Sequence, residues 1–231
     1  MVSDKINKVC LFHHERTNSM KQDGKISSAV IRRLPRYLRA LEDLENGGTE
    51  RISSGELSKI IGYTASQIRQ DLNHFGGFGQ QGYGYNVKDL KAEIEKILGL
   101  GKQYKMVIVG SGRLGQAINS FISSYSEDFC VTSLFDVKED LIGKEKHGVL
   151  IRSVEDLTAY LKQNPTDIGV ITVTKENAQS VCDKLMDGGV KGIWNFAPID
   201  LENTGETAVE NVHLSDNLHS LVYYINHPEQ F

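Results

Sequence analysis

Gly110-Ser111-Gly112-Arg113-Leu114-Gly115 spaces three glycines as G-x-G-x-x-G, directly after the apolar run Met106–Val109 and before a helical pattern holding Ala117–Phe121. The chemistry this spacing serves is pyrophosphate binding. Gly110 permits a tight turn, Gly112 leaves room for phosphate against bare backbone, and Gly115 lets the helix pack closely on the strand. The free N–H groups and the dipole at the helix start attract the phosphates. Asp136 follows Gly115 by 21 residues, at the end of the next apolar run, Cys130–Phe135. A carboxylate there accepts hydrogen bonds from a ribose and repels a 2′-phosphate, which favours NAD(H) over NADP(H). The competing readings are a packing turn between strand and helix, or a flavin or coenzyme A ligand.

A second set of residues suits DNA. Ser66, Gln67, Arg69, Gln70 and Asn73 fall on the polar face of a short helix whose other face holds Ala65, Ile68, Leu72 and Phe75. Such side chains bond base edges and phosphates, and arginine pairs well with guanine. A solvated helix shows the same face, so the neighbouring elements carry the argument. Arg32, Arg33, Arg36 and Arg39 lie upstream in a stretch, 27–41, that contains no acid.

The elements that must position these residues follow from periodicity and punctuation. Ile31, Leu34, Leu38, Leu41 and Leu44 mark an amphipathic helix, with Pro35 as a kink or a first turn and Asn46-Gly47-Gly48 as its end. Ser53 and Glu56 form a capping box for a second helix with Leu57, Ile60 and Ile61 on its apolar face. Gly62 makes a turn, and Thr64 caps the third helix with Gln67 in the reciprocal position. Gly76-Gly77-Phe78-Gly79 stops that helix, and the glycine–aromatic alternation over 80–87, with Gln81 and Tyr83, suits a tight hairpin. Together these make a winged helix-turn-helix. A further helix at 88–100 carries Leu90, Ile94, Ile97 and Leu98.

From Lys105 strands alternate with helices: strands at Met106–Val109, Cys130–Phe135, Gly148–Ile151, Ile168–Val173 and Gly192–Phe196, and helices at Val154–Leu161 and Ala178–Met186. This is the pattern of a doubly wound parallel sheet. Leu214, Leu218, Leu221, Val222 and Ile225 lie on one face of a last helix with Ser215 as its cap, able to complete its own core or to dock on a second subunit. The expected divisions are a disordered extension over 1–26, a winged-helix domain over 27–87, a connecting helix and linker over 88–104, a Rossmann domain over 105–212 and a dimerisation helix over 213–231.

The chain has 231 residues and a net charge of −4. Residues 1–85 hold 12 Lys+Arg against 9 Asp+Glu, and residues 86–231 hold 14 against 21. A basic end on an acidic body fits one end meeting a polyanion. No apolar run approaches a membrane span, and no signal peptide is legible. Cys10, Cys130 and Cys182 are far apart, which fits a reducing, cytoplasmic setting and gives no zinc framework. His13-His14 lacks further spaced ligands, so no metal is expected.

Residues 27–226 resemble the Rex family of redox-sensing transcriptional repressors. The matching stretches are Arg33-Leu34-Pro35-Arg36-Tyr37, Gln67-Ile68-Arg69-Gln70-Asp71-Leu72, Phe75-Gly76-Gly77-Phe78-Gly79, Gly82-Tyr83-Gly84-Tyr85-Asn86-Val87, Gly110–Gly115 and Gly192-Ile193-Trp194-Asn195-Phe196-Ala197-Pro198. The resemblance implies a homodimer with exchanged C-terminal helices that binds a palindromic operator in double-stranded DNA. It also implies that NADH weakens DNA binding, that NAD+ competes, and that the regulated genes serve fermentation and anaerobic respiration. Three positions depart from the family pattern: Phe121 where many members have tyrosine, His213 where many have aspartate, and Arg113 where asparagine is more usual.

The residues expected to hold the dinucleotide are Gly110, Ser111, Gly112, Arg113, Leu114, Gly115, Phe121, Asp136, Thr172, Val173, Asn195, Phe196 and Pro198. Those expected to meet DNA are Arg32, Arg33, Arg36, Ser66, Gln67, Arg69, Gln70, Asn73, Gln81 and Tyr83. No catalytic residue is expected. The rival reading, an NAD-dependent dehydrogenase with an accessory winged helix, requires a substrate domain for which the strand count leaves no room.

Overall fold

The computed structural model describes residues 26–76, 83–125, 127–203 and 205–230. The expected extension up to residue 25, His13-His14, Gln81 and the glycines at 77 and 79 lie outside the described residues. The chain forms two compact units that divide between Leu98 and Gly99.

The first unit opens with α1 (Ser28–Asn46), whose N-cap Ser27 accepts a hydrogen bond from the Val30 N–H. Pro35 sits inside this helix, so it is not the first turn. It is exposed, and the N–H it lacks is one that would otherwise bond the Ile31 carbonyl. Leu34, Tyr37 and Leu41 recur at helical spacing and are fully buried. The two-residue strand β1 (Arg51–Ile52) leads into α2 (Ser54–Ile61), which starts at the complete Ser53–Glu56 capping box. After Gly62, α3 (Ala65–Asn73) begins at Thr64, whose hydroxyl accepts from the Gln67 N–H. The Gln67 side chain does not return to the cap; it bonds Asp71 instead.

Strand β2 (Tyr85–Asn86) pairs antiparallel with β1, from before α2, and residues 80–82 of the expected hairpin lie outside the described residues. Gly84 makes that approach possible. Its φ is +70°, and a Cβ there would sit 2.6 Å from the Ile52 carbonyl oxygen. Helix α4 (Val87–Leu98) packs back on α1 and buries Val87, Leu90 and Ile94. The stretch 88–104, expected as one connector, is therefore split: its helix belongs to the first unit and its remainder opens the second. Leu57, Ile68 and Leu72 close the core from α2 and α3. Each such burial is worth about 1.5–3 kcal/mol, which fixes the two short helices that are too short to persist alone.

The second unit is a seven-stranded sheet in the order β5-β6-β4-β3-β7-β8-β9. Its strands are β3 (Tyr104–Val109), β4 (Phe129–Asp136), β5 (Glu145–Lys146), β6 (Val149–Ser153), β7 (Ile168–Ile171), β8 (Gly192–Asn195) and β9 (Ala208–Asn211). Only β5 is antiparallel. The six parallel strands have the doubly wound Rossmann order, which reverses direction between β3 and β7. Helix α5 (Arg113–Tyr125) covers one face, and α6 (Leu157–Gln163) and α7 (Lys175–Asp187) cover the other.

Side chains of β3 alternate between the two cores, as a strand buried on both faces must. Val107 and Val109 join Leu157, Ala178 and Leu185, while Met106 and Ile108 join Ile118, Ile122 and Leu134. Cys130 and Cys182 are free thiols. Among the described residues, no helix is long and apolar enough to cross a membrane, and no group of three or more His, Cys, Asp or Glu gathers as a metal site.

Helix α8 (Leu214–Asn226) buries none of its residues. Leu214, Leu218, Leu221, Val222 and Ile225 all stand exposed. The expected cap Ser215 lies inside the helix. His213 occupies the cap position without a side-chain cap bond, and its ring Nε2 meets Asp200 Oδ1 at 2.9 Å.

Candidate functional site: a glycine turn and a polar helix face

The reversal point of the sheet lies at the ends of β3 and β7, where Gly110–Gly115 and Thr172 meet. Gly110 takes φ +99°, and a Cβ on it would fall 2.7 Å from the Thr172 carbonyl oxygen. A Cβ on Gly115 would lie 1.9 Å from the Gly110 carbonyl oxygen. Nothing lies within 4 Å of a Cβ built on Gly112. The turn is thus closed on its inner side by two glycines and open at the third. That opening, at the start of α5, presents bare backbone and a helix N-terminus to an anion. These residues fit a dinucleotide pyrophosphate. Arg113 and Leu114 are the first residues of α5 and both are exposed.

The polar side chains around the turn are spent inward. Thr172 Oγ1 donates to the Gly110 carbonyl at 2.7 Å, with the Val109 carbonyl at 3.0 Å. Asp136 Oδ2 accepts from the Ser111 N–H at 2.7 Å and from Ser111 Oγ at 2.8 Å, and Oδ1 accepts from the Lys138 N–H at 3.0 Å. Burial works to raise the Asp136 pKa, but these donors outweigh it and hold the carboxyl below its usual range. Asn195 is fully buried. It donates to Ile199 O and Asn211 Oδ1 and accepts from the Ala197 N–H, fixing the bend that carries Phe196 and exposed Pro198. Phe196 packs edge-on against Trp194, while Phe121, half exposed, stacks on Tyr125. Phe121 lies eight residues along α5 from Arg113, about 12 Å at 1.5 Å per residue. Val173 is half-buried just past β7.

In the first unit, Ser66, Arg69, Gln70 and Asn73 share an open cleft of about 480 Å³ on α3 with His74, a residue the sequence pattern did not single out. Arg69 Nη1 donates to Ser54 Oγ at 2.9 Å, which braces the guanidinium against the start of α2. Arg33 and Gln67 are placed differently. Arg33 forms a two-bond fork with Asp71, at 2.6 and 2.7 Å, and Gln67 donates to the same carboxylate at 3.0 Å. Tyr37 completes the network by donating to Asp71 at 2.7 Å.

Asp71 is 1% exposed. Burial works to raise its pKa, and the Arg33, Tyr37 and Gln67 donors outweigh it and bring the carboxyl below its usual value. Burial together with Asp71 pushes the Tyr37 hydroxyl far up. This buried hub pins α3 to α1. Asp71 sits between Ile68 and Leu72 on the buried side of α3, and a lone acid on an apolar face was the available signal for it. Arg36 lies over the Tyr63 ring at 5.2 Å, Arg32 is exposed, and Tyr83 is 70% exposed with its carbonyl accepting from Arg51.

The family described as "Putative DNA-binding protein N-terminus" matches residues 25–73, and the "CoA binding domain" family matches residues 101–199. The chain is 53% identical over 207 residues to the redox-sensing transcriptional repressor Rex of Clostridium novyi (strain NT), covering 90% of this chain and 99% of that protein. It is 52% identical over 202 residues to the Rex repressor of Clostridium acetobutylicum, covering 87% and 94%. A crystal structure of RSP with beta-NAD+ and operator DNA superposes at TM-score 0.83 with 49% identity, covering 90% of this chain and 96% of that one. RSP with beta-NADH superposes at 0.82 with 46% identity, covering 90% and 98%.

Proposed function

The chain belongs to the Rex family of redox-sensing transcriptional repressors, and from that premise we propose that it represses transcription as a homodimer on a palindromic operator and releases it when NADH binds. The observation that carries this reading is the open backbone at Gly112, set between two glycines that admit no side chain. Gly110–Gly115 would hold the pyrophosphate, Asp136 would face the adenosine ribose, and Thr172, Val173 and Phe196 would line the far side. NADH brings an uncharged ring where NAD+ brings a positive one, so an apolar wall at Phe196 favours the reduced form. On α3, Ser66, Arg69, Gln70 and Asn73 would read base edges, with Arg32, Arg36, Gln81 and Tyr83 toward the phosphates.

The uncovered apolar face of α8 supports pairing with a second copy and exchange of this helix between protomers. We read the protein as a cytoplasmic regulator and not as an enzyme. A ligand shifts DNA affinity only by its preference between two states, and a thousandfold release requires about 4 kcal/mol of coupling. Calorimetry with NADH and with NAD+ tests the premise. Both should bind, NADH more tightly; heat from neither would end this reading.

A further inference from the structure

We propose that the Ser111 side chain is a positioning group for dinucleotide choice: by holding Asp136 it fixes a negative charge beside the turn and keeps the site closed to a 2′-phosphate. The inference rests on the NAD(H) reading above and goes beyond it, because it assigns selectivity to a hydroxyl that need not touch the ligand.

Ser111 is fully buried, and its one hydroxyl proton goes to Asp136 Oδ2. The backbone N–H of the same residue already tethers that oxygen. The turn itself therefore does not need the hydroxyl. The Ser111 carbonyl is held in turn by Gln116 Nε2 at 2.7 Å, so the donor is itself fixed. With the Lys138 N–H on Oδ1 and the Val137 N–H beside it, the donors nearly fill a carboxylate that has about four acceptor sites. A carboxylate so engaged has little left for a fork onto a ribose diol. What it retains is its charge, fixed in place.

The surroundings make that charge decisive. Arg113, in the turn, and Lys138, two residues past Asp136, are both exposed cations. A site carrying these two groups would welcome a 2′-phosphate if the carboxylate could swing away. The hydroxyl adds a side-chain bond to the backbone donors that resist that swing, and a bond from a neutral donor to a charged acceptor is strong enough to tell beside them.

The test measures NADH and NADPH affinity by calorimetry on the full chain. The variants are Ser111→Ala, Ser111→Cys (which keeps the side-chain shape, slightly enlarged, with a weaker donor), Asp136→Asn and the Ser111→Ala/Asp136→Asn double variant. The wild type should prefer NADH. Ser111→Ala and Ser111→Cys should each lower the NADPH/NADH discrimination by about tenfold, the worth of one hydrogen bond to a charged group. Removing Ser111 in the Asp136→Asn background should change the ratio no further. A purely structural role would weaken both ligands equally. An unchanged ratio, or a ratio that rises because NADH tightens, overturns this inference alone. A wild type that binds neither ligand overturns it together with the reading it rests on.

Discussion

On α3 the polar side chains Ser66, Arg69, Gln70 and Asn73 stand in solvent around an open cleft, whereas at the turn after β3 the polar side chains of Ser111, Asp136, Thr172 and Asn195 are engaged with one another and with backbone. One surface offers side chains; the other offers bare backbone in a shape held from behind. The difference follows from the ligands they fit. Base pairs present varied edges, and only projecting donors and acceptors distinguish them. A pyrophosphate is compact and charged, and N–H groups at a helix start suit it if nothing crowds them. Truncating a side chain should therefore weaken the first surface by degrees, while adding atoms should abolish the second.

The first unit also contains one inward network, and removing it should give the largest effect. Asp71→Ala leaves Arg33 and Tyr37 without their acceptor and should destabilise the first unit by about 3–5 kcal/mol, read by thermal melting. A loss under 1 kcal/mol would make Asp71 incidental and break the contrast. At the turn, Gly112→Val should leave melting unchanged, because the added atoms meet open space. Its NADH affinity should fall at least about a hundredfold, or 2.7 kcal/mol. Normal NADH binding by this variant would show that the backbone opening is not the site.

Arg69→Ala should cost about tenfold to a hundredfold in affinity for a selected duplex, the range of a bidentate arginine–guanine contact. Its NADH affinity should stay unchanged. The smallest effect is that of pH. Asp71 and Asp136 are both held below the ordinary carboxylate range. Their contribution is complete above about pH 4, the unfolded value, and is lost as pH falls through the lower folded values. Melting temperature should therefore drop in acid, and Asp71→Asn should flatten that limb for the first unit.

Much of the architecture was legible because local chemistry decides it. The Ser53–Glu56 box and Thr64 set helix starts from neighbouring residues alone, and the run from Met106 to Gly115 announces a strand, a turn and a helix. What escaped was decided at a distance. β1 and β2 are two residues each and exist only because they pair with each other across α2 and α3. β9 is four residues added at the sheet edge against β8. Ser215 had the right chemistry for a cap, but the helix takes its N-cap two residues earlier, at His213, whose ring meets Asp200. Arg33 and Gln67 looked outward by pattern, yet a buried acid 38 residues beyond Arg33 in sequence draws both in. Periodicity reports which face a residue occupies; it does not report which partner waits there.

The central claim is that occupancy of the turn at Gly112 weakens the grip of α3 on DNA. A labelled duplex, selected by the protein from a random pool, should be followed by fluorescence anisotropy as NADH is added. Affinity should fall by about tenfold to a hundredfold at saturation, and not in Gly112→Val. Unchanged affinity, with calorimetry showing the NADH bound, would contradict it.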